Sequence, residues 1–206
     1  MDLAFFVTAF ATLFVIMDPI GVTPIFIALT RGEDDAHRRA VAIRGCVVAA
    51  VVLSLFAFLG EELLGTIGIG MPAFRIAGGV VLFLTALDML FERRTKRRSS
   101  SAEADEDKPD PSVFPIAIPL LAGPGSITSI ILLSGQGDGW LDTLAVLGVM
   151  ALVLVIALAL LLTAGPIERG LGVTGITVVT RLLGMILAAL SVQFVIDGLL
   201  ASGLYP

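Results

Sequence analysis

Thr143 to Ala164 reads TLAVLGVMALVLVIALALLLTA and carries no charged residue from end to end. About 20 apolar residues suffice to cross a hydrocarbon core about 30 Å thick, and this run is too long and too evenly apolar for a helix inside a soluble core. Working outward from it, five further apolar runs follow, which places expected helices near 3–30, 40–60, 69–91, 113–134, 143–164 and 175–199. Composition agrees, since 57% of the 206 residues are hydrophobic and the 15% that are charged sit in a few short stretches. The expected class is an all-α integral membrane protein with six transmembrane helices in a lipid bilayer.

The first run, Leu3 to Ile27, lacks a basic leading segment and a small-residue cleavage site, so it reads as a retained span. The single cysteine, Cys46, lies in an apolar run and excludes an intramolecular disulfide, while the single histidine, His37, sits in a charged connection. No metal site is expected from them. The G-x-x-x-x-G-K-[ST], G-x-S-x-G and H-E-x-x-H patterns do not occur, so neither ATP hydrolysis nor an intramembrane enzyme is expected, and no cofactor is implied.

Lysine and arginine beside spans are retained on the cytoplasmic side. The first connection carries Arg31, Arg38 and Arg39, with Arg44 close by; the third carries Arg93, Arg94, Lys96, Arg97, Arg98 and Lys108; the fifth carries Arg169. The second has Glu61 and Glu62 without a base, and the fourth, Gly135 to Asp142, has no base either. Odd-numbered connections are therefore expected in the cytoplasm, with both termini outside. Arg93 to Arg98 reads as a topology signal attracted to anionic lipid, and no nucleic-acid partner is expected. Ser99 to Ser112, SSSAEADEDKPDPS, has the composition of a flexible linker. It divides the chain into a first unit, 1–98, and a second, 113–206.

These units repeat each other. A shift of 105 residues sets D-P-I-G-V-T-P-I (Asp18 to Ile25) over G-P-G-S-I-T-S-I (Gly123 to Ile130). At shifts of 106 to 107, Glu61 meets Glu168, Leu64-Gly65 meets Leu171-Gly172, Arg75 meets Arg181 and Gly78 meets Gly184. Shared glycines alone would be weak evidence, but the paired prolines and paired intramembrane arginines are not. With three spans in each half, the second copy enters from the opposite side, giving two inverted three-helix repeats.

Both halves break their first helix. Met17 to Pro24 holds two prolines, a glycine and a carboxylate near mid-membrane, and Pro115, Pro119 and Ala122-Gly123-Pro124-Gly125-Ser126 interrupt the fourth span. Irregular backbone is tolerated at this depth only where it is buried in protein or lines a wet cavity, so broken helices 1 and 4 point to one shared site. The expected restarts have Thr23 as N-cap before Pro24, and Ser126 as N-cap before Ile127-Thr128. Their dipole ends would suit a carboxylate. The bland alternative is two kinks that only help helices pack. Against it, a carboxylate such as Asp18 at mid-depth costs about 2.5–3.5 kcal/mol, so it should be paired, protonated or functional.

Arg75 and Arg181, each expected 6–8 residues inside its helix and facing the bundle interior, either tie down the broken segments or act as counter-ions. Thr85, Ser191 and Gln193 either line a cavity or hydrogen-bond between helices. Asp88 and Asp197, toward span ends, are expected in the solvated interface.

At these residues the chain resembles the MarC/SnatA family, also called the neutral amino acid transporter family. The resemblance rests on M-D-P-I-G-x-x-P-x-F (Met17 to Phe26), R-I-A-G-G-x-x-L-x-x-x-A-x-x-M-L (Arg75 to Leu90), F-P-x-A-x-P-x-L-A-G-P-G-S-I-T (Phe114 to Thr128) and R-x-x-G-M-I-L-A-A-L-x-V-Q (Arg181 to Gln193). It implies six spans and, for some members, transport of small neutral amino acids such as glycine and alanine. The resulting expectation is a secondary transporter whose substrate carboxylate meets Gly21 to Thr23 and the stretch containing Gly123, Gly125, Ser126 and Thr128. Its ammonium, or a coupling proton or sodium ion, is balanced by Asp18, with Arg75, Arg181 and Gln193 in support. A passive pore or channel and a non-transporting scaffold are the competing classes, and the oligomeric state stays open.

Overall fold

The computed structural model describes residues 3–91, 110–137 and 139–203, without the side chains at 167–169, 171 and 173. The basic run Arg93 to Arg98 and most of the acidic linker lie outside the described residues. Within them the chain is helical, with no strand: α1 (Leu3–Met17), α2 (Pro19–Leu29), α3 (Asp35–Thr66), α4 (Met71–Leu90), α5 (Ser112–Leu121), α6 (Pro124–Ser134), α7 (Trp140–Leu162) and α8 (Ala164–Ala201). Five stretches are long and apolar enough to cross a membrane: Leu3–Leu29, which joins α1 to α2, then α3, α4, α7 and Thr174–Ala201. The pair α5 and α6, bent by 55°, makes a sixth if it counts as one span.

Local chemistry sets the ends. Asp34 caps α3 by accepting the His37 N–H at 2.7 Å. Gly68, at φ 78°, turns the chain from α3 toward α4, a backbone conformation that glycine adopts without steric penalty. Gly172, at φ 64° and ψ 171°, interrupts α8 just before the apolar stretch begins at Thr174. Segment α5 is irregular, because Pro115 and Pro119 remove two donors and Phe114 and Ile118 are extended. Its remaining bonds span wider turns, from Ile116 N–H to Pro111 O at 3.2 Å and from Ala122 N–H to Ala117 O at 2.8 Å.

Apolar tails drive helices into the bilayer but not against each other, so packing depends on close backbone approach. The largest seam joins α4 to α8. A Cβ on Gly79 would stand 2.7 Å from Ser191 O, one on Gly198 would stand 3.0 Å from Pro72 O, and one on Gly184 would stand 3.0 Å from Met89 Cβ. These contacts run in opposite directions along the two helices, so α4 and α8 are antiparallel. On the other side of the bundle, Gly45 of α3 meets Ile116 of α5, and Gly60 meets Ile131 of α6. Both partners advance by fifteen residues, so α3 runs parallel to the α5–α6 pair.

Arg44 Nη1 contacts Asp110 Oδ2 at 2.9 Å where the chain re-enters α5. Both groups are exposed, and such pairs contribute about 0–1 kcal/mol, so the Gly45–Ile116 packing fixes this junction more than the ion pair does. The glycine seam yields a prediction. Gly79→Ala should lower the unfolding free energy in detergent by about 1–3 kcal/mol through overpacking. Gly148→Ala, on an exposed face of α7 where a Cβ meets nothing within 4 Å, should be neutral or stabilising by up to about 1 kcal/mol. Equal melting temperatures for the two variants would refute the seam.

Candidate functional site

Asp18 is where the first span leaves its helical path. Its φ of 47° and ψ of 60° are left-handed, and it is the one non-glycine residue with positive φ among the described residues. The following Pro19 disfavours the right-handed helical region at position 18, and aspartate is among the few residues that enter the left-handed region readily. The break is one residue wide. Asp18 N–H still donates to Phe14 O at 3.0 Å, and Val22 N–H donates to Asp18 O at 3.0 Å.

Asp18, 1% exposed, caps α2 by accepting the Gly21 N–H on Oδ1 at 3.1 Å. A Cβ at position 21 would run into that carboxylate, so the cap requires glycine there. This corrects the expectation for Thr23. It is not an N-cap but lies inside α2, fully buried, with its hydroxyl donating to Pro19 O at 3.0 Å. Two segments, Asp18-Pro19 and Thr23-Pro24, offered a capping residue before proline, and the chain breaks at the first. Once α2 has started at Pro19, Pro24 removes only one further donor.

The start of α6 is built differently. Its N-cap is Gly123, extended at φ −81° and ψ 172°, with no side-chain cap. A Cβ there would stand 2.5 Å from Pro119 O. Pro124 opens the helix, since its fixed φ suits the first position. Ser126 is therefore not the N-cap that the sequence suggested but a first-turn residue, 1% exposed. The N-terminal donors of α2 face the carboxylate of their own N-cap residue, while the N-cap residue of α6 is a glycine and supplies no side-chain cap.

The two breaks are neighbours. A Cβ on Gly125 would lie 3.2 Å from Ile16 Cγ2 and 3.2 Å from Leu82 Cδ2, with Thr85 Oγ1 at 3.8 Å. Ile16 and Gly125 each sit two residues from a break, so the first turn of α6 abuts the last turn of α1 and the middle of α4. Thr128 is 9% exposed, and its methyl group presses on Gly78 of α4.

Arg75, Arg181 and Gln193 stand apart from this junction. Arg75 lies in the first two turns of α4, shallower than the sequence suggested because that helix begins at Met71; it is half-buried and its Nε has no hydrogen-bond partner. Arg181 is exposed instead of interior. Gly184 already packs on Met89 and Leu90, so one turn earlier Arg181 passes the end of α4 and can extend its stem toward the interface. Gln193 is exposed and donates to Asp197 Oδ1 at 2.7 Å. Ser191 lies in the α4–α8 seam and donates to Ala188 O at 2.7 Å. Thr85 stays beside Gly125, with its hydroxyl on Val81 O at 3.0 Å.

Two residues escaped the sequence reading. Thr12 and Ser129 are fully buried, and their hydroxyls have no hydrogen-bond partner. Each is one helical turn from the Ile16–Gly125 contact, Thr12 four residues before and Ser129 four after. Their spacing from the breaks was the available signal, but a lone hydroxyl in an apolar helix usually bonds its own backbone. No group of three or more His, Cys, Asp or Glu residues that could hold a metal ion occurs among the described residues.

A family described as MarC family integral membrane protein matches residues 3–202. An UPF0056 membrane protein of Archaeoglobus fulgidus is 38% identical over 200 residues, covering 96% of this chain and 93% of its own. One from Methanocaldococcus jannaschii is 36% identical over 200 residues, covering 97% and 98%. The UPF0056 inner membrane protein YhgN of Escherichia coli is 33% identical over 195 residues, covering 94% and 95%. No solved structure matches.

The unpartnered hydroxyls generate a test. Thr12→Val and Ser129→Ala remove groups that make no hydrogen bond, so each should change the unfolding free energy by less than about 1 kcal/mol. A loss above about 2 kcal/mol for either variant would mean that its hydroxyl is bonded in the folded protein.

Proposed function

The chain belongs to the MarC family of integral membrane proteins, and from that membership we propose that it is a secondary carrier of small neutral amino acids, glycine- or alanine-like, in the cytoplasmic membrane. The observation that carries this reading is an acidic helix break beside a helix N-terminus that has no side-chain cap. Asp18 supplies a buried carboxylate, and the first turn of α6 supplies N–H donors at the positive end of a dipole. A zwitterion has the complementary pair of charges. Its ammonium is assigned to Asp18 and its carboxylate to the turn from Gly123 to Ser126. Gly21 N–H already bonds Asp18, which favours α6 over α2 as the carboxylate end.

Thr128 lies one turn along α6, and Thr12 and Ser129 extend the polar lining. Gly123 and Gly125 contribute no side chain, which suits a small ligand. Ile16 and Leu82 close over Gly125, so admitting substrate requires α1, α4 and α6 to shift, as alternating access demands. A proton or a sodium ion coupled through Asp18 would drive accumulation.

Two packing features support six spans and an inverted repeat. The α5–α6 pair stays beside α3 from Gly45 to Gly60, a rise of about 22 Å, which favours one broken crossing over a re-entrant loop. Most of the larger contacts between helices also survive exchange of the halves. The first span packs on α7 as α5 and α6 pack on α3, and it packs on α8 as α6 packs on α4. Contacts of α1 with α6, α3 with α7 and α4 with α8 pair equivalent elements, whereas those of α6 with α7 and of α7 with α8 have no counterpart of similar size in the first half among the described residues.

Proteoliposomes given labelled glycine or alanine, under imposed proton and sodium gradients, should show saturable uptake and counterflow. Flux that never saturates would assign a pore, and none would assign a scaffold. Asp18→Asn keeps the cap, because Asn and Asp cap about equally, so the variant should fold yet lose or uncouple uptake. Unchanged uptake with unchanged ion dependence would remove the charge-balancing role. For orientation, a cysteine in the loop from Gly135 to Asp142, on a Cys46→Ala background, should react with an impermeant reagent from outside the cell. A cysteine between Ser99 and Ser112 should not, and reversed labelling would invert the topology.

A further inference from the structure

A cavity of about 450 Å³ opens at the end of α2 remote from Asp18. Its wall combines Phe26, Asp35, Arg38 and Arg39 with Leu161, Leu162, Gly165 and Pro166. It thus lies where α2 turns into α3 and where α7 turns into α8. Those are the first and fifth connections, which carry basic residues and share one side of a chain that crosses at every span. The volume falls within the range of small-molecule sites, about 300–1,000 Å³.

Among the described residues, no ion pair consumes Arg38 or Arg39 on its wall, although Asp35 lines the same cavity. Arg38 is half-buried, with its guanidinium carbon 6.0 Å from the centroid of the Phe26 ring. Phe26 is itself 1% exposed, so that guanidinium rests on a fixed apolar base. Planar guanidinium forks match phosphate oxygens well. The opposite wall is apolar. Leu161 is buried, while Leu162, the last residue of α7, is 46% exposed. One wall therefore suits an anion at headgroup depth, and the other suits a hydrocarbon chain running into the bilayer.

We propose that the cavity between the α2–α3 and α7–α8 junctions binds the headgroup of an anionic phospholipid. Its phosphate lies on Arg38 and Arg39, and its acyl chain lies along Leu162. Asp35, an acceptor at the same wall, favours a headgroup that carries hydroxyl donors, as phosphatidylglycerol does. This site is separate from the Asp18 junction and does not depend on the transport reading.

The full chain in detergent can be titrated with phosphatidylglycerol, phosphatidylcholine, inorganic phosphate and glycine, with bound lipid read by native mass spectrometry and stability by melting temperature. Wild type should retain phosphatidylglycerol and melt higher with it than with phosphatidylcholine. Arg38→Gln with Arg39→Gln should weaken phosphatidylglycerol binding about 10-fold or more, given the strength of basic residues near anionic lipid. The exposed Arg39→Gln change alone should weaken it less and keeps the test valid if the double variant does not fold. Equal retention of the two lipids, or equal phosphatidylglycerol binding by wild type and both variants, overturns the proposal. Inorganic phosphate or glycine that binds while the lipid does not overturns the lipid assignment in favour of a free anion.

Discussion

A backbone that leaves its helix inside hydrocarbon must find its hydrogen bonds within the protein, because lipid offers none. That constraint organises the centre of this molecule. At Asp18 the interruption is reduced to one left-handed residue whose own carboxylate serves the next free donor. At Gly123 it is met by extended backbone packed onto Pro119 O, with Ala122 and Gly125 buried on either side. The two solutions differ in charge, since one N-cap contributes a carboxylate and the other, a glycine, contributes no side chain. That asymmetry follows from the different local chemistry that repairs each break.

Packing around the breaks obeys a second rule of the same solvent. Close approach replaces the hydrophobic drive that would assemble a soluble core. Glycines therefore appear where helices cross, at positions 45, 60, 78, 79, 125, 184 and 198, each against a named neighbour. Glycines 65 and 148 meet nothing and need no such explanation. Close crossings on both faces of α4 hold it to α6 through Gly78 and to α8 through Gly79, so the helix that borders the candidate site is fixed from two directions.

Much of this was legible in the residues. Apolar runs located the helices, although α3 extends five and six residues past its expected ends, and Asp18-Pro19 and Gly123-Pro124 located both breaks, because proline's missing donor is a local fact. What failed depended on neighbours. Thr23 and Ser126 are good capping residues in isolation and lost to Asp18 and Gly123, because in each case an earlier residue followed by proline had already started the helix. Arg181 was expected inside, but where α4 ends relative to α8 decides its exposure, and no periodicity in one helix reports that register. Thr12 and Ser129 look like ordinary helix hydroxyls until three-dimensional packing leaves them unpartnered.

The α4–α8 seam also has a bearing on biogenesis. Its two helices lie about a hundred residues apart in the chain, and α8 is the last of the described elements to emerge. Contacts of such sequence separation form late, so α4 enters the bilayer with Gly79 facing lipid instead of Ser191. Until α8 arrives, the inserted helices are a set of spans without their principal partner, and transient species of that kind are prone to misassembly. A ribosome that stalls before α8 would therefore leave a membrane-embedded fragment whose exposed glycine face distinguishes it from finished protein, a natural mark for membrane quality control.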